Sequence, residues 1–133
     1  MILVDSNILM YAAGAEHPHR KRCIVFLEKV LLGNTPAVID TEVLQEILHR
    51  YRSIHRWPQG LEVYDGARTM FPDVLAVTSE VMDRARNLME LYAPLGARDA
   101  VHAAVVQVHQ LESICSFDKD FDKIDGLKRI EPK

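Results

Sequence analysis

A chain of 133 residues, 48% of them hydrophobic, is long enough for one domain with one buried core and too apolar for global disorder. Its formal net charge of −3 argues against a protein that coats nucleic acid non-specifically, since such binders are usually basic, but acidic metal ligands would lower the count in a nuclease. No apolar run approaches the ~20 residues of a membrane span, and Met1 to Val4 runs straight into Asp5, too soon for a signal peptide, so a cytoplasmic protein without a membrane segment is expected.

Met1 to Val4 reads as a short buried strand, and His17-Pro18-His19 as a break. Arg20 to Leu32 reads as a helix with Ile24, Leu27 and Leu31 on one face and Gly33 as its stop. After a turn at Asn34-Thr35-Pro36, Ala37 to Ile39 is a second strand. Asp40 or Thr41 can cap a helix from Glu42 to Arg52, whose apolar stripe is Val43, Leu44, Ile47 and Leu48. Pro58 and Gly60 mark a further break before a helix from Leu61 to Phe71, closed by Pro72. Val74 to Val77 is a third strand, and Thr78 or Ser79 caps a helix through Tyr92. Pro94, Leu95 and Gly96 interrupt it ahead of a strongly apolar helix, Arg98 to Gln110. Ser113 to Phe117 is a fourth strand and Leu127 to Ile130 an edge strand. Short strands alternating with helices predict an α/β domain with a parallel sheet covered on both faces, spanning residues 1–133 as one unit.

Asp5, Glu46, Asp99 and Asp118 sit beside or within apolar runs spread along the chain. A parallel α/β sheet gathers such residues, because the carboxyl ends of its strands line one crevice. Carboxylates gathered there repel one another unless a cation joins them, and hard divalent cations take oxygen ligands. A Mg²⁺ or Mn²⁺ site follows. Each acid also has a plainer reading. Asp5 suits a helix N-cap, as do Ser6 and Asn7. Glu42, one turn before Glu46, suits the first turn of its helix, whereas Leu44 and Ile47 point Glu46 toward the core side. Asp99 opens its helix, and His102, one turn on, reads more readily as a hydrogen-bonded helix residue than as part of a site. Asp120 and Asp122 compete with Asp118, which is nearest the strand end. Cys23 and Cys115 lack metal or redox spacing and read as reduced thiols packed in a core.

The order of strand-end Asp, mid-helix Glu, helix-start Asp and strand-end Asp resembles a PIN domain, and among these the VapC-type toxin ribonucleases. The resemblance lies in Val4-Asp5-Ser6-Asn7-Ile8-Leu9, Glu42-Val43-Leu44-Gln45-Glu46-Ile47-Leu48, Arg98-Asp99-Ala100-Val101-His102-Ala103-Ala104 and Ser116-Phe117-Asp118-Lys119-Asp120-Phe121. It covers essentially the whole chain, and four short motifs in this order are more specific than any one of them. It implies a three-layer sandwich with a mostly parallel sheet of four or five strands. It also implies an endoribonuclease dependent on Mg²⁺ or Mn²⁺, the toxin of a type II toxin–antitoxin pair. By the same resemblance Asp5, Glu46, Asp99 and Asp118 hold the metal and carry catalysis, while Asn7 and Ser116 support them or position water. A homodimer and an antitoxin partner are implied as well.

Hydrolysis of a phosphodiester needs an in-line nucleophile and a stabilised leaving oxygen, both of which divalent cations can supply. RNA reaching an acidic cleft needs flanking positive charge. His17-Pro18-His19-Arg20-Lys21-Arg22 is one such stretch. The other runs from His49-Arg50-Tyr51-Arg52 to His55-Arg56-Trp57 and interleaves aromatics with bases, as single-strand binders do. Arg50, Arg52 and Arg56 are thus candidates to contact RNA or an antitoxin, although a solvated helix face would look the same. A receiver-type phosphoacceptor would want paired acids after the first strand, and a haloacid-dehalogenase-like phosphatase would want Asp where Asn7 stands. The remaining alternative is a PIN-fold protein that binds RNA or a partner without cutting.

Overall fold

A computed structural model describes all 133 residues. The strands are β1 (Ile2–Val4), β2 (Ala37–Asp40), β3 (Val74–Leu75), β4 (Ser113–Cys115) and β5 (Arg129–Ile130). The helices are α1 (Ser6–Ala13), α2 (Arg20–Leu31), α3 (Thr41–Ser53), α4 (Trp57–Met70), α5 (Ser79–Leu91) and α6 (Ala97–Val108), with a short 3₁₀ turn at Lys119–Lys123. All strand pairs are parallel, in the order β3-β2-β1-β4-β5. The chain winds outward from β1 to β3 and then returns to β1's other side. That reversal puts a crevice at the carboxyl ends of β1 and β4, where doubly wound sheets bind ligands.

Strand side chains alternate between faces, which divides the core in two. Leu3, Val38 and Ile114 pack with Val81, Ala85 and Leu88 of α5 and with the apolar residues of α6. Val4, Ile39 and Cys115 pack with side chains of α1 through α4, including Ile8, Phe26, Ile47 and Ala67. The result is three layers. The same alternation turns Asp40, the last residue of β2, and Asp5 and Ser116, one residue past β1 and β4, to the face of Leu3, Val38 and Ile114, the face that α6 covers. The thiols of Cys23 and Cys115 are free and buried, and burial pushes them up to about 11 and about 12.

The structure departs from the sequence expectation at α1, at the start of α4 and in the lengths of β3, β4 and β5. Ser6–Ala13 is a helix that was not anticipated, capped by Asp5, whose side chain accepts from the Ser6 N–H. It has few charges to mark a solvent face, and its Ile8 and Leu9 are buried. The α4 helix starts at Trp57, so Pro58 and Gly60 lie inside it rather than in a break. Proline is tolerated in a first helical turn, where its missing N–H has no helical partner. Gly60 is there for space: a Cβ would stand 2.5 Å from Tyr51 Cβ, so its absence lets α3 and α4 close on each other. Finally, three strands are shorter than expected: β3 pairs with β2 only through Val74 and Leu75 rather than to Val77, β4 ends at Cys115 rather than Phe117, and β5 pairs with β4 only through Arg129 and Ile130 rather than from Leu127.

Candidate metal centre

Asp5 is the hub of the crevice. It follows Val4 of β1 and is nearly enclosed. Its Oδ1 accepts the Ser6 N–H at 2.7 Å, and its Oδ2 accepts the Ser116 hydroxyl at 2.6 Å and a longer contact from Asn7 Nδ2 at 3.4 Å. The β1–β4 register explains this: Val4 lies beside Cys115, so the next residues on each strand, Asp5 and Ser116, are also neighbours. Ser116 Oγ in turn accepts Asn7 Nδ2 at 3.1 Å and the Asp118 N–H at 3.0 Å. Asn7 and Ser116 therefore both touch Asp5, and Ser116 sets the backbone at Asp118.

Glu46 reaches the crevice from α3, which Asp40 starts by accepting the Val43 N–H at 2.9 Å. Ser6 Oγ donates to Glu46 Oε2, and His102 Nε2 lies 2.6 Å from Glu46 Oε1. His102 Nδ1 lies 2.7 Å from Asp40 Oδ2. His102 and Asp40 are both 0% exposed. Burial alone would lower the His102 pKa, but Asp40, Glu46 and Asp5 more than offset it and hold it well above the usual imidazole value. Burial would likewise raise Glu46, yet bonds from His102 and Ser6 and the charge of Arg98 keep it below its ordinary range. For Asp5 burial wins, and its carboxyl is raised despite His102 and Ser116.

Asp99 lies in the first turn of α6, and Asp118 caps the 3₁₀ turn by accepting the Asp120 N–H at 2.9 Å. Burial, the Asp118 carboxylate and the Asp5 carboxylate together push Asp99 up to about 7. Asp122 stands apart, held by Arg129 through two bonds of 2.9 and 3.1 Å.

Two sets of ligand atoms converge: Asp5 with Glu46 and His102, and Asp99 with Asp118 and Asp120, each within 4.8 Å of one another. The Asp5 effect on Asp99 links the two sets. Asn7 Oδ1 is buried without a partner, on an amide whose nitrogen already contacts Asp5 and Ser116. Carboxylates pushed toward protonation and an orphaned amide oxygen are what an oxygen-lined centre shows when it is suited to a divalent cation. The donor set fits one, with a single imidazole nitrogen added.

A cleft of ≈ 470 Å³ opens beside this centre, lined among others by Asn7, Tyr11, Arg50, Tyr51 and Arg56. Arg52 is directed elsewhere, with its guanidinium 4.1 Å from the Trp57 ring centroid. Tyr11 also joins His17, His19 and Phe117 in an aromatic cluster, with His19 stacked on Phe117 at 3.9 Å.

Sequence reasoning brought forward Asp5, Glu46, Asp99 and Asp118, and the structure brings these into one crevice. It also proposed Asp122 as a competitor, which the Arg129 pair occupies. It left His102 an ordinary helix residue and Asp40 only a cap; they are instead a buried pair reaching Glu46. The available signal was the i, i+3 spacing of Asp99 and His102, which places them on one helix face.

A family model described as PIN domain matches residues 2–127. The chain is 42% identical over 130 residues to VapC ribonuclease Mb1869c of Mycobacterium bovis, an alignment covering 98% of this chain and 99% of that one. Ribonuclease VapC13 of Mycobacterium tuberculosis matches with the same identity and coverage. Among solved structures, VapBC2 from Rickettsia felis, bound to a DNA fragment from its promoter, superposes with a TM-score of 0.78 at 18% identity, covering 100% of both chains. VapC20 of M. tuberculosis, described as a Sarcin-Ricin loop cleaving toxin, gives the same score and identity over 99% of this chain and 100% of that one. The family match and the parallel three-layer architecture agree over nearly the full length, and this chain belongs to the PIN domain family.

Proposed function

We propose that residues 1–133 form one nuclease domain that hydrolyses RNA internally with Mg²⁺ or Mn²⁺, and that it acts as the toxin of a toxin–antitoxin pair in the cytoplasm. The observation that carries this reading is the convergence of Asp5, Glu46, Asp99 and Asp118 from four separate elements on one crevice at the sheet's switch point. The ribonuclease names of the relatives support the same reading.

Asp5, Glu46, Asp99 and Asp118 would hold the metal. A bound divalent cation lowers the pKa of water to supply a nucleophile and neutralises charge growing on phosphate. The protein's part is placement. Ser116 and Asn7 fix Asp5, Ser6 and His102 fix Glu46, and the cap at Asp118 keeps its carboxylate beside Asp99. Enclosure of Asp5 keeps bulk water from competing for its oxygens. Arg50 and Arg56 would meet the phosphates of a strand entering by the Asn7 cleft, while Arg52, stacked on Trp57, would meet it only outside that cleft. An antitoxin segment is proposed to compete for that entrance. A homodimer belongs to the same reading, and Met82, Met89 and Leu91 leave apolar surface on α5 for it.

Single-stranded RNA incubated with the protein in EDTA, Mg²⁺ or Mn²⁺ tests the activity. Cleavage should require the metal and fall at least about a thousandfold in Asp5→Asn, as expected when charge stabilisation at a reacting centre is removed. Cleavage that persists in EDTA or in Asp5→Asn rejects the assignment. RNA binding that survives chelation without any cutting would favour a non-catalytic binder.

A further inference from the structure

His102 brings the only imidazole into a centre otherwise lined with oxygen. Its two ring nitrogens meet different surroundings. Nδ1 faces Asp40 Oδ2 at 2.7 Å, and Asp40 is itself immobilised because its other oxygen accepts the Val43 N–H at the start of α3. A carboxylate bonded to one ring nitrogen in this way fixes the orientation and tautomer of a metal-binding histidine. Nε2 faces the crevice. It lies 2.6 Å from Glu46 Oε1 and 3.6 Å from Asp5 Oδ1. Neighbouring ligands on an octahedral ion with bonds of about 2.1 Å stand about 3 Å apart, so these two separations bracket what one shared ion requires.

We propose that His102 Nε2 releases its proton to solvent when the divalent cation held by Asp5 and Glu46 binds, and then ligates that cation directly, with Asp40 holding the Nδ1 proton and orienting the ring. This rests on the metal-dependent reading above and goes beyond its four acids. The competing role is a strut, in which the ring only ties Glu46 to Asp40. The geometry favours ligation, because Nε2 approaches two carboxylates from separate elements rather than Glu46 alone, and because Asp40 cannot turn toward the ion itself. An imidazole ligand suits first-row transition metals better than Mg²⁺. The centre should therefore prefer Mn²⁺ over Mg²⁺ by more than an all-oxygen site would.

The test uses the full chain loaded with Mn²⁺ and pulsed electron paramagnetic resonance. The unlabelled protein should show modulation from a directly bound ¹⁴N, replaced by a ¹⁵N pattern when histidine is ¹⁵N-labelled. His102→Gln should lose the signal, and calorimetric titration should show its Mn²⁺/Mg²⁺ affinity ratio reduced about tenfold. Asp40→Asn, which keeps the ring but weakens its anchor, should bind Mn²⁺ less tightly with the nitrogen signal still present. Mn²⁺ bound in the native protein without histidine coupling would overturn the proposal and leave a strut, while metal-dependent RNA cleavage could still stand. A signal that persists in His102→Gln would also overturn it, since another histidine would then be the source. Should that variant not fold, the labelled native spectrum and Asp40→Asn decide. Failure to bind Mn²⁺ at all would overturn both readings, whereas histidine coupling without RNA cleavage would overturn only the nuclease.

Discussion

Asp99 and Ser116 show how single residues tune the centre. Burial and its acidic neighbours push Asp99 up to about 7, while the unfolded chain titrates it near the ordinary 3.8. Between those values the native state holds a proton that the unfolded state has released, so stability falls as pH rises through this window and levels off above it. In EDTA the melting temperature should therefore drop between about pH 4 and pH 7, and Asp99→Asn should flatten that part of the profile. Because an ion must displace the same proton, metal affinity should rise with pH up to about 7, by as much as about tenfold per unit. Thermal melts and titrations across that range check both effects. Ser116 donates to Asp5 and accepts from Asn7 and from the Asp118 N–H. Ser116→Ala strands all three, so it should cost about 1–3 kcal/mol in denaturant unfolding. It should also weaken metal binding about tenfold, since supporting groups of this kind set ligand geometry.

The packing of α3 on α4 turns on one missing methyl group. Gly60 leaves no room for a Cβ, which would meet the backbone-proximal Cβ of Tyr51 at 2.5 Å. Gly60→Ala gains helix propensity but forces the two helices apart, and overpacking of that kind costs about 1–3 kcal/mol. Gly66, on the same helix with nothing within 4 Å of its would-be Cβ, serves as the control. Gly66→Ala should stabilise by up to about 1 kcal/mol. Opposite signs for the two variants in urea unfolding would confirm the close approach, and equal signs would refute it. The α3 helix matters beyond stability, because Asp40 starts it, Glu46 rides on it and Arg50 lies in its last turn. Loosening its seat against α4 should lower metal affinity along with stability.

For the whole molecule, the question is how an acidic protein admits a polyanion. Its net charge is −3, and several of its carboxylates crowd one crevice. Arg50 and Arg56 sit on the cleft that reaches Asn7 and add positive charge to its wall. Changing both to Ala should weaken single-stranded RNA binding and lower the slope of log affinity against log salt by about 0.7 for each phosphate no longer neutralised. Fold and metal affinity should stay as they are. Fluorescence anisotropy at several salt concentrations measures the slope, and an unchanged slope would remove these arginines from the path of the RNA.

Much of this was legible in the linear chain. Apolar runs ending in Asp5 and in Ser116-Phe117-Asp118 marked two strand ends, and the caps at Asp40 and Thr78 marked two helix starts. These are local effects: a strand shows in a run of apolar residues, and a cap bonds a backbone N–H within three residues. The four acids stood out because each sits beside or within an apolar run, and their order along the chain resembled a known family. The α1 helix stayed hidden because its residues are mostly apolar, which leaves no polar face to mark a period. The start of α4 was misplaced because Pro58 and Gly60 serve the first turn and a close helix crossing, which local rules read as a break. The pairing of Asp40 with His102 spans 62 residues of sequence and depends on strand register, on which sheet face α6 covers and on the turn of α6 that faces it. Local composition and order determined the elements and the acids. Only the tertiary structure decided which buried groups face one another and share a hydrogen bond, because that depends on distances that parallel crossovers set between residues far apart in the chain.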